Sequence, residues 1–117
     1  MRLNEIIFDD ARPVEGYGPG FFRIGGRVID GPVTVLPSGI ASWGGFDDTE
    51  MLVAQAGTYD VLFVGTGADI AHPPKAFRET LEAAGVGVET MASPAACRTY
   101  NVLLSEGRRV ALALIPV

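Results

Sequence analysis

Cysteine, histidine, basic charge and long apolar runs are all scarce in this chain of 117 residues. Cys97 is the single cysteine, so no internal disulfide can form, which fits a reducing compartment. His72 is the single histidine. One His with one Cys falls short of the roughly three or four protein ligands that zinc takes, so no metal is expected. Nine Lys and Arg stand against fourteen Asp and Glu, a net charge of −5. A duplex-binding protein needs a basic surplus to replace phosphate counterions, so nucleic acid is not the expected partner. No wholly apolar run exceeds five or six residues, far below the ~20 needed to span a bilayer, and no membrane span is expected. The opening residues Met1-Arg-Leu-Asn-Glu5 lead into a few apolar positions and then Asp9-Asp10. That pattern is neither a secretory signal nor an Arg-rich transit peptide, so the reading is cytoplasmic.

What is present is apolar: 48% of residues are hydrophobic, and one domain over residues 1–117 has enough material for a core without staples. Glycine and proline are densest over residues 13–46, which read as short strands joined by tight turns. Gly16-Tyr-Gly-Pro-Gly20 is a turn cluster. Phe21–Ile24 and Arg27–Asp30 flank Gly25-Gly26, a two-residue hairpin signal. Val33–Leu36 follows Gly31-Pro32, and Ile40–Trp43 follows Pro37-Ser-Gly39. Four short strands, mostly antiparallel, are expected here.

The second half changes period. Asp47-Asp48-Thr49 offers N-caps for a short helix ending near Gly57. Val61–Val64 is apolar at every position, as in a strand buried on both faces. Pro73-Pro74 opens a helix over 74–84 with Phe77, Leu81 and Ala84 on one face, stopped by Gly85. A strand over 87–91 follows. Ser93-Pro94 reads as an N-cap with proline at N1, opening a helix over 94–105 with Ala96, Tyr100 and Leu103 on its inner face. Gly107 ends it, and residues 110–115 form a last buried strand. Strands alternating with helices of this length predict an α/β fold. Phe63, Phe77, Leu81, Tyr100, Leu103 and Leu112 are the expected core.

Several constellations invite a functional reading. Gly65-Thr66-Gly67 after a buried strand imitates a dinucleotide fingerprint, with Glu89 near the end of the next strand. The fingerprint needs a helix that opens within the glycines. Ile70 stands where its third glycine belongs, and Pro73-Pro74 delay the helix, so neither NAD nor FAD is expected. Cys97 lies one turn into a helix beside Arg98, where thiolate is favoured, yet a small buried cysteine is the commoner case. Asp9, Asp10, Asp47, Asp48, Asp60 and Asp69 fall in turns and caps, which explains them without acid–base chemistry. Arg108-Arg109, just past a helix end, complement its dipole. Arg98, Thr99 and Asn101 flank the register of Tyr100. Together with Gly65, Thr66 and Gly67 they are the candidate cleft for a ligand or partner, at the strand ends where α/β sites tend to sit. Equally, Thr99 and Asn101 can hydrogen-bond loop backbone and serve only the fold.

Several strings carry a resemblance: Tyr17-Gly-Pro-Gly-Phe-Phe22, Gly31-Pro-Val-Thr-Val-Leu-Pro-Ser-Gly39 with Trp43, Gly65-Thr-Gly67, and Met91 to Ala113. The most specific is Thr99-Tyr-Asn-Val-Leu-Leu-Ser-Glu-Gly-Arg-Arg-Val110. With these the chain resembles the Mth-type domain family of unknown function, which includes an assembly factor of mitochondrial respiratory complex I. The resemblance implies a three-layer α/β domain: a mixed sheet of about five strands, flanking helices and an N-terminal β-hairpin layer. It implies a non-catalytic protein-interaction or assembly role, with a protein partner, and brings no catalytic residues and no cofactor. The alternative is a small-molecule-binding protein or enzyme using the cleft between Gly65–Gly67 and Arg98–Asn101. A flat apolar patch including Phe21, Phe22 or Trp43 would favour the interaction role. The oligomeric state is left as monomer or homodimer.

Overall fold

The computed structural model describes residues 12–117, so Asp9 and Asp10 lie outside the described residues. Among the described residues eight strands and three helices follow one another: β1 Val14–Gly18, β2 Phe21–Ile24, β3 Arg27–Asp30, β4 Val33–Leu36, β5 Gly39–Ser42, α1 Glu50–Ala54, β6 Val61–Thr66, α2 Lys75–Ala83, β7 Gly87–Met91, α3 Ser93–Ser105 and β8 Val110–Ile115. A single 3-10 turn, Ala56–Thr58, follows α1.

The strands form two sheets. A three-stranded antiparallel sheet runs β1-β2-β3, and a five-stranded mixed sheet runs β5-β4-β8-β6-β7. β4 pairs antiparallel with β5 and β8, while β6 pairs parallel with β8 and β7. The order explains the layering. β6 steps outward to β7 through α2, and β7 steps back across β6 to β8 through α3. Two right-handed crossovers of opposite direction must put their helices on opposite faces. Accordingly Phe77 and Leu81 of α2 pack with Leu52, Trp43 and Tyr59 against Leu62, Val64, Ala111 and Ala113. Ala96, Cys97 and Tyr100 of α3 pack with Phe22 and Ile24 of the smaller sheet against Phe63, Val35, Leu112 and Leu114. The alternation in β8 is thus Leu toward α3 and Ala toward α1 and α2, because Trp43 and Phe77 fill that side.

The hairpin expected at Gly25-Gly26 is present, with φ of +60° and +77° at the two residues, as a type I′ turn requires. The expected α2, β7, α3 and β8 all form within a residue or two of their expected bounds. Two local expectations fail, the turn at Gly16–Gly18 and the burial of Leu103. Gly16–Gly18, read as part of a turn, belongs to β1, and only Pro19-Gly20 turns. The register shifts between Val14 and Gly16, and a Cβ on Gly18 would sit 2.5 Å from the Phe21 ring. These glycines mark a bulge and a close approach, not a chain reversal. Of the N-caps offered by Asp47, Asp48 and Thr49, Thr49 stands at the N-cap of α1, while the Asp48 carboxylate accepts from the Gly44 N–H at 2.9 Å and its carbonyl from the Trp43 indole at 2.9 Å. Leu103 is half-buried, whereas the other five expected core residues are buried.

Candidate functional site

The sequence places the candidate cleft where β6 ends. There Gly65 passes so close to the start of α3 that an added Cβ would lie 2.8 Å from the Ser93 Cα and 2.7 Å from a Leu114 methyl. Only glycine allows that approach. Ser93 is fully buried, and its hydroxyl ties three elements together. It accepts from the Gly67 N–H at 2.8 Å and donates to the Ile115 carbonyl at 2.5 Å, while the Ser93 N–H donates to the Gly67 carbonyl at 2.8 Å. Thr66 completes the corner: its hydroxyl accepts from the Ala71 N–H at 2.9 Å and donates to the Asp69 carbonyl at 2.8 Å. The Gly67 amide, which in a phosphate loop would face a ligand, is already bonded. α2 begins only at Lys75. Ser93 is not the N-cap the sequence pattern indicated. Ala92 takes that place, and Ser93 turns its hydroxyl inward because Gly67 presents a buried donor and Ile115 a partly buried acceptor within reach.

Farther along α3, Asn101 faces β1. Its Oδ1 accepts from the Val14 N–H at 2.8 Å and its Nδ2 donates to the Val14 carbonyl at 2.9 Å. The amide therefore imitates a neighbouring strand at the edge of β1. Tyr100 donates its hydroxyl to the Arg12 carbonyl at 2.9 Å, fixing the chain just before that strand. Between β1 and α3 runs an open groove of about 290 Å³ lined by Glu15, Gly16, Tyr17, Cys97, Arg98, Asn101 and neighbouring residues. Tyr17 and Val102 stand exposed on its two sides, 45% and 51%. Arg98 is exposed, and among the described residues it has no hydrogen-bond or ion-pair partner.

The structure thus brings Arg98 and Asn101 together against β1. Neither Gly65, Thr66 nor Gly67 lines that groove. Thr99 does not line it either: at about 100° per residue it projects from the opposite flank of α3. The residues that sequence reasoning missed are Ser93, taken for a cap, and Tyr17, hidden in an apparent turn. Phe22 and Trp43, considered as parts of an exposed patch, are buried in the two cores. Among the described residues the large exposed apolar side chains are Tyr17, Val28, Met51, Ile70 and Val102.

Burial pushes the Cys97 thiol from 9.0 up to about 11, against which its backbone hydrogen bond is the smaller effect. The helix start and Arg98 do not yield a thiolate there. Arg109 does not serve the end of α3. It pairs with Asp60 at 3.0 Å and donates to the Gly57 carbonyl at 3.2 Å, joining the start of β8 to the turn before β6. Among the described residues no three His, Cys, Asp or Glu side chains gather as a metal set. Among the same residues no helix is long and apolar enough to cross a membrane.

Comparison with known proteins now places the chain. An uncharacterized protein of Rhodobacter capsulatus is 53% identical over 117 residues, covering 100% of this chain and 94% of that protein. The NADH dehydrogenase [ubiquinone] 1 alpha subcomplex assembly factor 3 of Danio rerio is 34% identical over 110 residues. That match covers 88% of this chain but 63% of the relative, so this chain spans less than two thirds of the assembly factor. Among solved structures, an outer membrane protein from Bartonella henselae superposes with a TM-score of 0.84 at 32% identity, over 92% of this chain and 97% of that one. A Bordetella pertussis protein described as a Mth938-like domain superposes with a TM-score of 0.72 at 31% identity, over 99% of this chain and 92% of that one. The Mth-type resemblance is therefore correct, and the family described as protein of unknown function (DUF498/DUF598) matches residues 14–115: the chain belongs to that family.

Proposed function

We propose that this chain is a non-catalytic interaction domain that works as an assembly factor for a membrane-associated complex, acting from the cytoplasmic side. The observation that carries the reading is the groove between β1 and α3. It is apolar at Tyr17 and Val102, rigid because Asn101 clamps β1, and carries in Arg98 a cation that has no partner among the described residues. An apolar strip beside an exposed guanidinium suits a protein segment that presents an apolar side chain next to a carboxylate. The named role of the Danio rerio relative supports assembly as the purpose of that contact. A reaction at this site has little to draw on: the thiol in the groove is held protonated by burial, and the glycine loop has already spent its amide on Ser93.

The test is complementation. In a host lacking this chain, the amount of assembled NADH dehydrogenase on native gels should fall, and the unaltered chain should restore it. Arg98→Glu and Val102→Asp should fold normally and fail to restore it. Full restoration by both variants would remove the groove from the function, and an undiminished complex in the deletion host would remove the assembly role.

A further inference from the structure

Open sheet edges are the places where a β protein recruits another chain, and this fold has treated its edges unequally. On β7, the Arg78 guanidinium reaches from α2 to the Val88 carbonyl at 3.0 Å and the Thr90 hydroxyl at 3.2 Å. On β1, Asn101 takes both backbone groups of Val14. β3 ends in the charges Arg27 and Asp30. β5, at the end of the five-stranded sheet, has no such cover among the described residues.

Its backbone is poised to pair. The Trp43 N–H donates inward to the Pro32 carbonyl at 3.0 Å, and Ala41 sits opposite Thr34 of β4. Alternation along an antiparallel ladder then turns the N–H and C=O groups of Ile40 and Ser42 outward, away from β4. Two adjoining grooves of about 380 and 340 Å³ follow this edge, sharing Ala41, Met51 and Gln55. Met51 overhangs both and is 48% exposed. Charge is divided along their length. Arg27 lines the groove at the Gly39 end, and Asp48 and Glu50 line the groove at the Ser42 end.

We propose that β5 pairs antiparallel with β5 of a second copy of this chain, centred on Ala41, to make a continuous ten-stranded sheet across a two-fold axis. In that register Ile40 of each copy lies opposite Ser42 of the other, and the outward backbone groups of both residues are satisfied in four hydrogen bonds. Ala41 meets its own counterpart at the centre, where its methyl leaves room for the close approach of a non-hydrogen-bonded pair. The two Met51 side chains cover the join. Antiparallel pairing also brings the Arg27 end of each copy to the Asp48–Glu50 end of the other, so a groove that is dipolar in one chain becomes complementary in two. That division of charge selects a second copy over a partner of uniform charge.

The experiment is sedimentation equilibrium on the full chain and three variants. The unaltered chain should show a concentration-dependent monomer–dimer equilibrium. Ser42→Pro removes one outward N–H at an edge position that tolerates proline, and should leave a folded monomer. Arg27→Glu and Glu50→Arg should each weaken self-association about tenfold, because each homodimer then sets like charges against one another. An equal mixture of Arg27→Glu and Glu50→Arg should restore it, because both pairs between positions 27 and 50 in the mixed dimer are opposite in sign. A strictly monomeric unaltered chain overturns the proposal. So does a dimer indifferent to Ser42→Pro, or a mixture that associates no better than its components.

Discussion

Three side chains on one helix show how differently polar groups can be employed. Ser93 satisfies a buried amide and a partly buried carbonyl from two separate strands' ends. Replacing it with Ala strands both, and an unfolding titration should register a loss of about 1–3 kcal/mol. Asn101→Ala strands the Val14 N–H and carbonyl and should cost a similar amount, about 1–3 kcal/mol. Arg98→Ala removes an exposed side chain without a partner among the described residues, and the same titration should move by no more than about 0.5 kcal/mol. A large loss at Arg98 would assign it to the fold and weaken its proposed role in docking. Cys97 is the fourth case on α3. With its thiol raised to about 11 and buried, the folded protein should react with a maleimide at neutral pH far more slowly than the urea-unfolded chain. Equal rates would mean that α3 opens readily. Asn101 was legible only as one of two alternatives, because a sequence does not say which backbone lies across from a helix. The Val14 amide that decides the matter is far away along the chain.

At the level of elements, the apolar patterns were sufficient guides wherever local propensity and burial agree. β6 and β8 are apolar at nearly every position because sheet neighbours and helices enclose them on all sides. α2 was readable from its proline start, its Gly85 stop and the Phe77–Leu81 spacing. The face of α3 was readable less well. Leu81 is fully buried whereas Leu103 packs only at the margin of the core. Leu81→Ala should therefore cost about 2–5 kcal/mol and Leu103→Ala distinctly less, measured by denaturant unfolding. Equal losses would indicate that α3 seats more deeply than described. β1 escaped notice because three of its five residues have features of a turn, being Gly16, Gly18 and the residue between them. The strand exists through its pairing with β2 and the clamp from Asn101, neither of which is local.

For the whole molecule, the two cores on either side of the sheet share a dependence on pH. Burial raises Cys97 from 9.0 to about 11 and Tyr59 from 10.0 to about 12, and raises Tyr100 further still. Each of these groups is neutral when protonated, and the unfolded chain ionises it more easily. Their contribution to stability is therefore complete at neutral pH and falls as the pH rises above about 9, first through Cys97 and then through the two tyrosines. Melting temperature should hold steady from pH 7 to about 9 and drop steeply beyond about 10, with Cys97→Ala delaying the first part of the fall. The Tyr59 hydroxyl donates to the Leu52 carbonyl at 2.6 Å and the Tyr100 hydroxyl to the Arg12 carbonyl, so each core holds one tyrosine proton that unfolding releases to alkaline solvent.

By itself the sequence determined the order of elements from β2 onward, the α/β class and the family, because each rests on local signals: apolar period, turn glycines, helix-opening prolines and an extended matching string. It also determined that the helix following β6 would not open within the glycine corner, since Pro73 and Pro74 are near neighbours in the chain. Only the tertiary structure decided what fills that corner. Ser93 reaches Gly67 and Ile115 because two crossovers return α3 and β8 to the end of β6. The same packing separated Arg98 and Asn101 from Gly65–Gly67 and joined them to β1, where the groove lies. Hydrogen bonds and grooves between distant segments depend on how faces meet in space, and a helix in sequence has no neighbour until the sheet supplies one.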